Sequence, residues 1–341
     1  MSTREGTRST FPRNAWYALA TSEDVGRMPV ARRLIDQPIL LTRKTSGAAV
    51  ALRDRCVNLP FPLSRGTVTG DTIVDGYSGF TYSLDGAVIA VPTQAEVPYD
   101  AKVQSFPVHE SGGLIYVWIG DPAVARLRPK PSTPWLDDAA WSTLGEEWTT
   151  QAGATLLQDN FSDITHVATV APEISPPALL GSTPTLEVEV SETRVKFWRD
   201  FPGQPMPAFQ AELLDIDRDE VFDQREEGEF VAPGQWVDRW TVRRAGEEDL
   251  QLIFSHSITP INGSSTWHAW RVSRNFAPGA AADGVLKPLF FDYYAKVKGL
   301  LEEMQDVLDA DGPQREVRVQ ADAAMLSVRR IMRRLAAEEG A

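Results

Sequence analysis

Two segments decide the reading of this chain: Asp54-Arg55-Cys56-Val57-Asn58-Leu59-Pro60-Phe61-Pro62-Leu63-Ser64-Arg65-Gly66 and, after a spacer, Asp75-Gly76-Tyr77-Ser78-Gly79-Phe80-Thr81-Tyr82. They contain Cys56, the single cysteine among 341 residues. One thiol excludes an internal disulfide and suits a reducing compartment. Around these segments lie short β-rich runs, Ile39–Thr42, Ala49–Leu52, Thr72–Val74, Ala87–Val91 and Leu114–Trp118, punctuated by turns. Such spacing predicts a small all-β module. The Pro-rich stretch Arg128-Pro129-Lys130-Pro131-Ser132-Thr133-Pro134-Trp135 reads as a connection and puts a boundary near residue 130.

Beyond it the pattern changes. A helix is expected over 156–170, then a strand series: Leu186–Val190 alternates with period two, and 236–243, 250–259 and 266–274 are rich in β-branched and aromatic residues. Asn262-Gly263 signals a hairpin between the last two. Helical segments over 286–308 and 321–338 close the chain. Strands flanked by long helices indicate an α+β domain, so the expected domains are 1–130, all-β, and 131–341, an antiparallel sheet with its helices on one face.

An apolar fraction of 43% with 10 Trp and 14 Phe describes a globular protein. A net charge of -13 argues against nucleic acid as a partner, because a phosphate-binding surface needs clustered cations. The one basic run, Arg329-Arg330-Ile331-Met332-Arg333-Arg334, reads as a solvated helix face. Met1–Arg8 is polar, and no apolar run approaches the roughly 18 residues of a membrane span. A cytoplasmic protein without membrane contact is expected.

The two opening segments resemble the Rieske domain of ring-hydroxylating and O-demethylating oxygenases, in particular the vanillate demethylase type. The family pattern there is Cys-x-His, a spacer, then Cys-x-x-His. Here the four positions are Cys56, Asn58, Asp75 and Ser78. A Rieske centre takes two thiolates on one iron and two imidazoles on the other, so the resemblance keeps the scaffold but not the ligand set. It extends over nearly the whole length, through Asn14-Ala15-Trp16-Tyr17, Gly70–Val74, Asp121-Pro122, Val319–Asp322 and Arg329-Arg330. It implies that the second domain is a helix-grip domain enclosing an apolar pocket.

In the family that pocket holds a mononuclear iron on two histidines spaced His-x4-His and one carboxylate, a facial triad with open positions. The matching residues here are His166, Ala171 and Val297, with Lys296 beside the last and Asp292 as a carboxylate that a shifted alignment could supply. By this resemblance neither metal is expected, and the expected cofactor list is empty. Asp163 matches the carboxylate that links metal sites of neighbouring subunits in a head-to-tail trimer. With His166 three residues on, it would share a helix face and could orient the imidazole for general-base work. His256 and His268 flank the hairpin, facing each other or opposite sides according to its loop length. His109 is read as a surface residue and Cys56 as a buried small side chain.

The functional expectation is a structural or regulatory partner of a metal-containing oxygenase paralogue, as homotrimer or hetero-oligomer. The alternative is metal-independent lyase, isomerase, cyclase or hydrolase chemistry on an aromatic or apolar small molecule, with His166 as acid–base and Asp163, His256 or His268 assisting. A third possibility is a carrier of such a molecule.

Overall fold

In the computed structural model, which describes residues 11–181 and 183–338, the chain divides into two compact units at Asp137/Asp138. Within Arg13–Asp137 the strands are β1 (Ala15–Thr21), β2 (Val30–Leu34), β3 (Gln37–Arg43), β4 (Ala49–Arg53), β5 (Thr67–Thr69), β6 (Thr72–Val74), β7 (Thr81–Ser83), β8 (Val88–Ala90), β9 (Ser105–Phe106), β10 (Val108–Ser111) and β11 (Leu114–Ile119). A short helix, α1 (Pro122–Ala125), comes next. The strands form small sheets in the orders β1-β11-β10, β2-β3-β4-β9 and β5-β6-β7-β8. Every residue of β11 is buried, since it lies between two strands and is covered on both faces. Its Ile115, Val117 and Ile119 join Tyr17, Leu19 and Leu41 in one core, each such side chain contributing about 1.5–3 kcal/mol by leaving water. A second core gathers Leu40, Leu52, Leu63, Ile73, Tyr82 and Cys56 beneath the two opening segments.

The second unit carries β12 (Ser142–Thr150), α2 (Ala154–Phe161), α3 (Val167–Val170), β13 (Glu187–Val190), β14 (Arg194–Pro205), α4 (Ala208–Leu214), β15 (Val221–Val231), β16 (Gln235–Arg243), β17 (Leu250–Pro260), β18 (Thr266–Arg274), α5 (Ala280–Asp311) and α6 (Ala323–Glu338). Its seven strands form one antiparallel sheet in the order β12-β18-β17-β16-β15-β14-β13. The 32-residue α5 packs on it through aromatic pairs: Phe290 on Phe254 at 5.8 Å, Phe291 on Trp148 at 5.9 Å and Tyr294 on Trp270 at 4.3 Å between centroids. Glu302 and Gln305, one turn apart on α5, accept the backbone N–H groups of Gln151 and Gly153 at 2.8 and 2.9 Å. They fix the entry to α2. The expected α+β class, an all-β first domain and an antiparallel sheet with long helices in the second, is what the chain adopts.

Three local expectations are corrected. The helix over 156–170 is broken: α2 ends at Phe161, Asp163 is extended (φ -154, ψ 121), and a 3-10 turn over Ile164–His166 leads into α3. The Asp163 carboxylate accepts from Thr165 N at 3.4 Å and from the Thr165 hydroxyl, and such side-chain caps compete with helix continuation. The basic run is not simply a solvated face. Arg329 makes a forked pair with Asp159 (Nε–Oδ1 2.9 Å, Nη2–Oδ2 2.5 Å) and a second with Glu316 at 2.6 Å, so it ties α6 to α2. His109 is half-buried, its Nε2 3.1 Å from the Pro131 carbonyl and its ring against Trp16. Among the described residues no helix is long and apolar enough to cross a membrane.

Candidate functional site

The end of the first opening segment and the start of the second run side by side next to the β5–β6 pairing. A Cβ on Gly66 would lie 2.4 Å from the Val74 carbonyl oxygen, and one on Gly76 2.8 Å from that of Arg65, so only glycine permits this approach. Each segment is tied by a carboxylate. Asp54 accepts from Ser64 N and Oγ, both at 2.7 Å. Asp75 accepts from Tyr77 N at 2.9 Å, Ser78 N at 2.6 Å, Ser78 Oγ at 2.9 Å and Phe80 N at 2.9 Å. Burial opposes the charge on Asp75, but the N–H groups of Ser78, Tyr77 and Phe80 and the Ser78 hydroxyl outweigh it and hold its carboxyl below the usual range. Cys56 is buried beside it, its thiol pushed up to about 11 by burial and by the Asp75 charge. It is a protonated core side chain at neutral pH, not a nucleophile.

In the second unit, His166 Nδ1 lies 2.9 Å from the Asp163 backbone carbonyl, which can only accept, so Nδ1 carries the proton. His166 Nε2 is then an acceptor and takes the Tyr293 hydroxyl at 3.3 Å. The expected pairing of His166 with the Asp163 carboxylate does not form. The helix break turns that carboxylate away, to Arg199 Nη2 at 2.6 Å. Ala171 and Val297 are buried, Asp292 is exposed, and the Lys296 ammonium donates to the Val170 carbonyl at the end of α3.

The β17–β18 connection spans 261–265, an odd number of residues, with Pro260 opposite Thr266. His256 and His268 therefore share a face, diagonally rather than directly opposed, with Nδ1 of one 3.1 Å from Nε2 of the other. Burial lowers the basicity of both, His268 to about 3, so the pair is uncharged. Phe161 stacks on His256 at 3.8 Å and closes this end.

A cavity of about 60 Å³ opens between the sheet, α5 and the segment after α2. Its walls are mainly apolar, with Phe161, Val167, Leu179, Phe209, Trp240 and Phe290 prominent. Its polar groups are Asp238, His256, Tyr293, Tyr294 and the Trp236 indole. Of the residues singled out by sequence, only His256 lines it; His166 reaches it through Tyr293, and His268 through His256. Behind Asp238 lies a buried charge cluster: Arg199, paired with Asp163, stands 3.5 Å from Glu226, a contact of charge without hydrogen-bond geometry. Burial and the neighbouring Asp238 push Glu226 well above the usual carboxylate range. Asp238, Glu226, Arg199 and Tyr293 all escaped the sequence reading. For Asp238 a signal exists, an acid between two tryptophans at period two in Trp236-Val237-Asp238-Arg239-Trp240.

Comparison with known proteins fits this geometry. The pattern described as vanillate O-demethylase oxygenase C-terminal domain matches residues 150–338, and the Rieske [2Fe-2S] domain matches 15–107. A vanillate O-demethylase oxygenase subunit from Pseudomonas sp. (strain HR199 / DSM 7063) is 26% identical over 96% of both chains. The crystal structure of dicamba monooxygenase bound to 3,6-dichlorosalicylic acid superposes with a TM-score of 0.86 at 25% identity, covering 96% of this chain and 98% of that one. The structure of the same enzyme with non-heme iron and dicamba gives 0.81 at 26% identity, covering 97% and 99%.

These matches correct the expectation of an empty cofactor list: the domains and relatives imply a [2Fe-2S] cluster and a mononuclear iron as the cofactors of this architecture. That expectation weighed ligand side chains alone, whereas the matches are carried by the scaffold around them. The residues that the sequence resemblance sets at the ligand positions do not by themselves fit those groups. Cys56, Asn58, Asp75 and Ser78 supply one thiol and no imidazole, and the Asp75 oxygens already accept four hydrogen bonds. His166 Nε2 accepts from Tyr293 where Ala171 and Val297 offer no ligand atom. Among the described residues no group of three or more His, Cys, Asp or Glu is placed to hold a metal ion.

Proposed function

Because the chain belongs to the Rieske oxygenase α-subunit family, we propose that it binds an aromatic or similarly apolar small molecule in the pocket of its second unit. It does so as a structural or regulatory partner of a family oxygenase rather than as the subunit performing oxygenation. The observation carrying this reading is the pocket itself: apolar walls with a few convergent polar groups are the usual form of a small-molecule site, and the side chains that the sequence resemblance sets at the family's ligand positions support it. At about 60 Å³ the cavity is smaller than the roughly 150 Å³ that accommodates benzene, so a single-ring ligand must displace lining side chains.

The test adds the purified chain to an intact family oxygenase and its reductase from the same source. Co-elution with altered turnover is expected. Separate elution with turnover unchanged would remove the partner role. A second reading, acid–base chemistry on the bound molecule without redox, is favoured by one observation: Tyr293 lines the pocket and its hydroxyl is hydrogen-bonded to His166. Conversion of a bound ligand that disappears in Tyr293→Phe would select it.

A further inference from the structure

Two polar side chains of the pocket have an atom without a partner. Asp238 is 6% exposed with Oδ1 unpaired, and Trp236 is 0% exposed with Nε1 unpaired. They stand two residues apart on β16, hence on one face, and both line the cavity. Of the other polar groups, His256 is paired with His268 and Tyr293 with His166. No Lys or Arg lines the pocket; the buried Arg199 behind it pairs with Asp163 and lies 3.5 Å from Glu226, with its Nε and Nη1 lacking hydrogen-bond partners. The unpaired atoms are thus an acceptor or acid and an N–H donor, in a wall backed by acidic groups.

We propose that this pocket selects a single-ring molecule that carries no negative charge and donates a hydrogen bond to Asp238 Oδ1, such as a benzylic alcohol or amine. Trp236 Nε1 donates to whatever acceptor the ligand offers. A buried, unpaired polar atom costs free energy that such a ligand recovers. With Asp238 ionised, a ligand carboxylate would instead set a second negative charge beside it in a pocket that no cation lines, which is strongly disfavoured in a desolvated site. The preference differs in kind from the dichlorosalicylic acid held by the related dicamba monooxygenase, and it rests on the pocket being a ligand site.

The test titrates the full-length protein at about pH 8.5, where Asp238 is ionised, with benzyl alcohol, benzylamine and benzoate, following tryptophan fluorescence, to which Trp236 and Trp240 report, and heat of binding. Benzyl alcohol and benzylamine should bind at least about tenfold more tightly than benzoate. In Asp238→Asn the gap should close to within about threefold, as the charge is removed at constant shape. Benzoate binding tightest to the unmodified protein would overturn the preference while leaving the pocket a ligand site, and this comparison needs no variant. An unchanged order in Asp238→Asn would overturn the assignment to Asp238. No response to any of the three would remove both this preference and the pocket reading.

Discussion

Asp238 shows how far a single side chain can be read. Strand alternation turns Trp236, Asp238 and Trp240 inward together, and the acid is the one that cannot be a packing residue. Burial, with the Asp163 charge adding to it and Arg199 opposing, pushes its carboxyl up to about 7. The raised value means that the folded protein holds a proton the unfolded chain has released, so stability is greatest below the unfolded value near 4 and is lost as pH rises towards 7. A shift of this size corresponds to at most on the order of 4 kcal/mol. Chemical denaturation at pH 5 and pH 8 should show the unmodified protein weaker at pH 8, with the difference reduced in Asp238→Asn; an identical difference in the variant would refute the assignment. Asp75 works in the opposite sense. Its charge is stabilised by the hydrogen bonds it accepts, so Asp75→Ala should cost about 2–4 kcal/mol and raise amide exchange at Tyr77, Ser78 and Phe80. Unchanged exchange there would show that the loop does not depend on the carboxylate. The lone cysteine and the acids around it were legible from type and position. That Asp75 accepts four hydrogen bonds was not, because the donors are mostly backbone groups whose direction only the folded loop sets.

At the scale of elements, sequence periodicity identified β13, β16, β17 and β18 of the second unit and both closing helices, since alternation and helical spacing are local properties, but it passed over β12, β14 and β15. It missed the break at Asp163, where a side-chain cap wins over continued helix, and it left the His256 and His268 register open, because loop parity is not encoded in Asn262-Gly263 alone. The capped turn sets two side chains at once: it sends the Asp163 carboxylate to Arg199 on β14 and leaves His166 to Tyr293 on α5. Arg199 is buried on β14 opposite Glu226 of β15, and removing one member of a buried ion cluster strands the others. Arg199→Met should lower stability by about 3–5 kcal/mol, and Arg199→Met combined with Glu226→Met should recover part of that loss, read as thermal midpoints. A double variant no better than the single one would show that Glu226 is not held by Arg199. Arg329→Ala should likewise loosen α6 from α2, with faster proteolysis near the C-terminal helix; unchanged cleavage would mean that apolar contacts of Ile331 and Met332 suffice.

Over the whole molecule, the family scaffold is present, and the reading proposed above rests on the resemblance that sets Asn58, Asp75, Ser78, Ala171 and Val297 at the family's ligand positions. The segments in the first unit are closed by carboxylate caps, and in the second unit a tyrosine takes the histidine nitrogen. The pocket between the sheet and α5 was expected as an architectural feature, but of its polar groups only His256 was singled out from the sequence. A fold of this kind is legible because its length and strand spacing are distributed over hundreds of residues; its function rests on a few side chains brought together from β16, β17 and α5. The central claim, that this pocket is where the protein meets a small aromatic molecule, is tested most directly by a crystal structure of the full chain with benzyl alcohol. The expected result is ligand density between Trp236, Asp238 and Tyr293, with lining side chains displaced to enlarge the cavity. An unaltered, empty pocket at saturating ligand, or density only elsewhere on the protein, would contradict it.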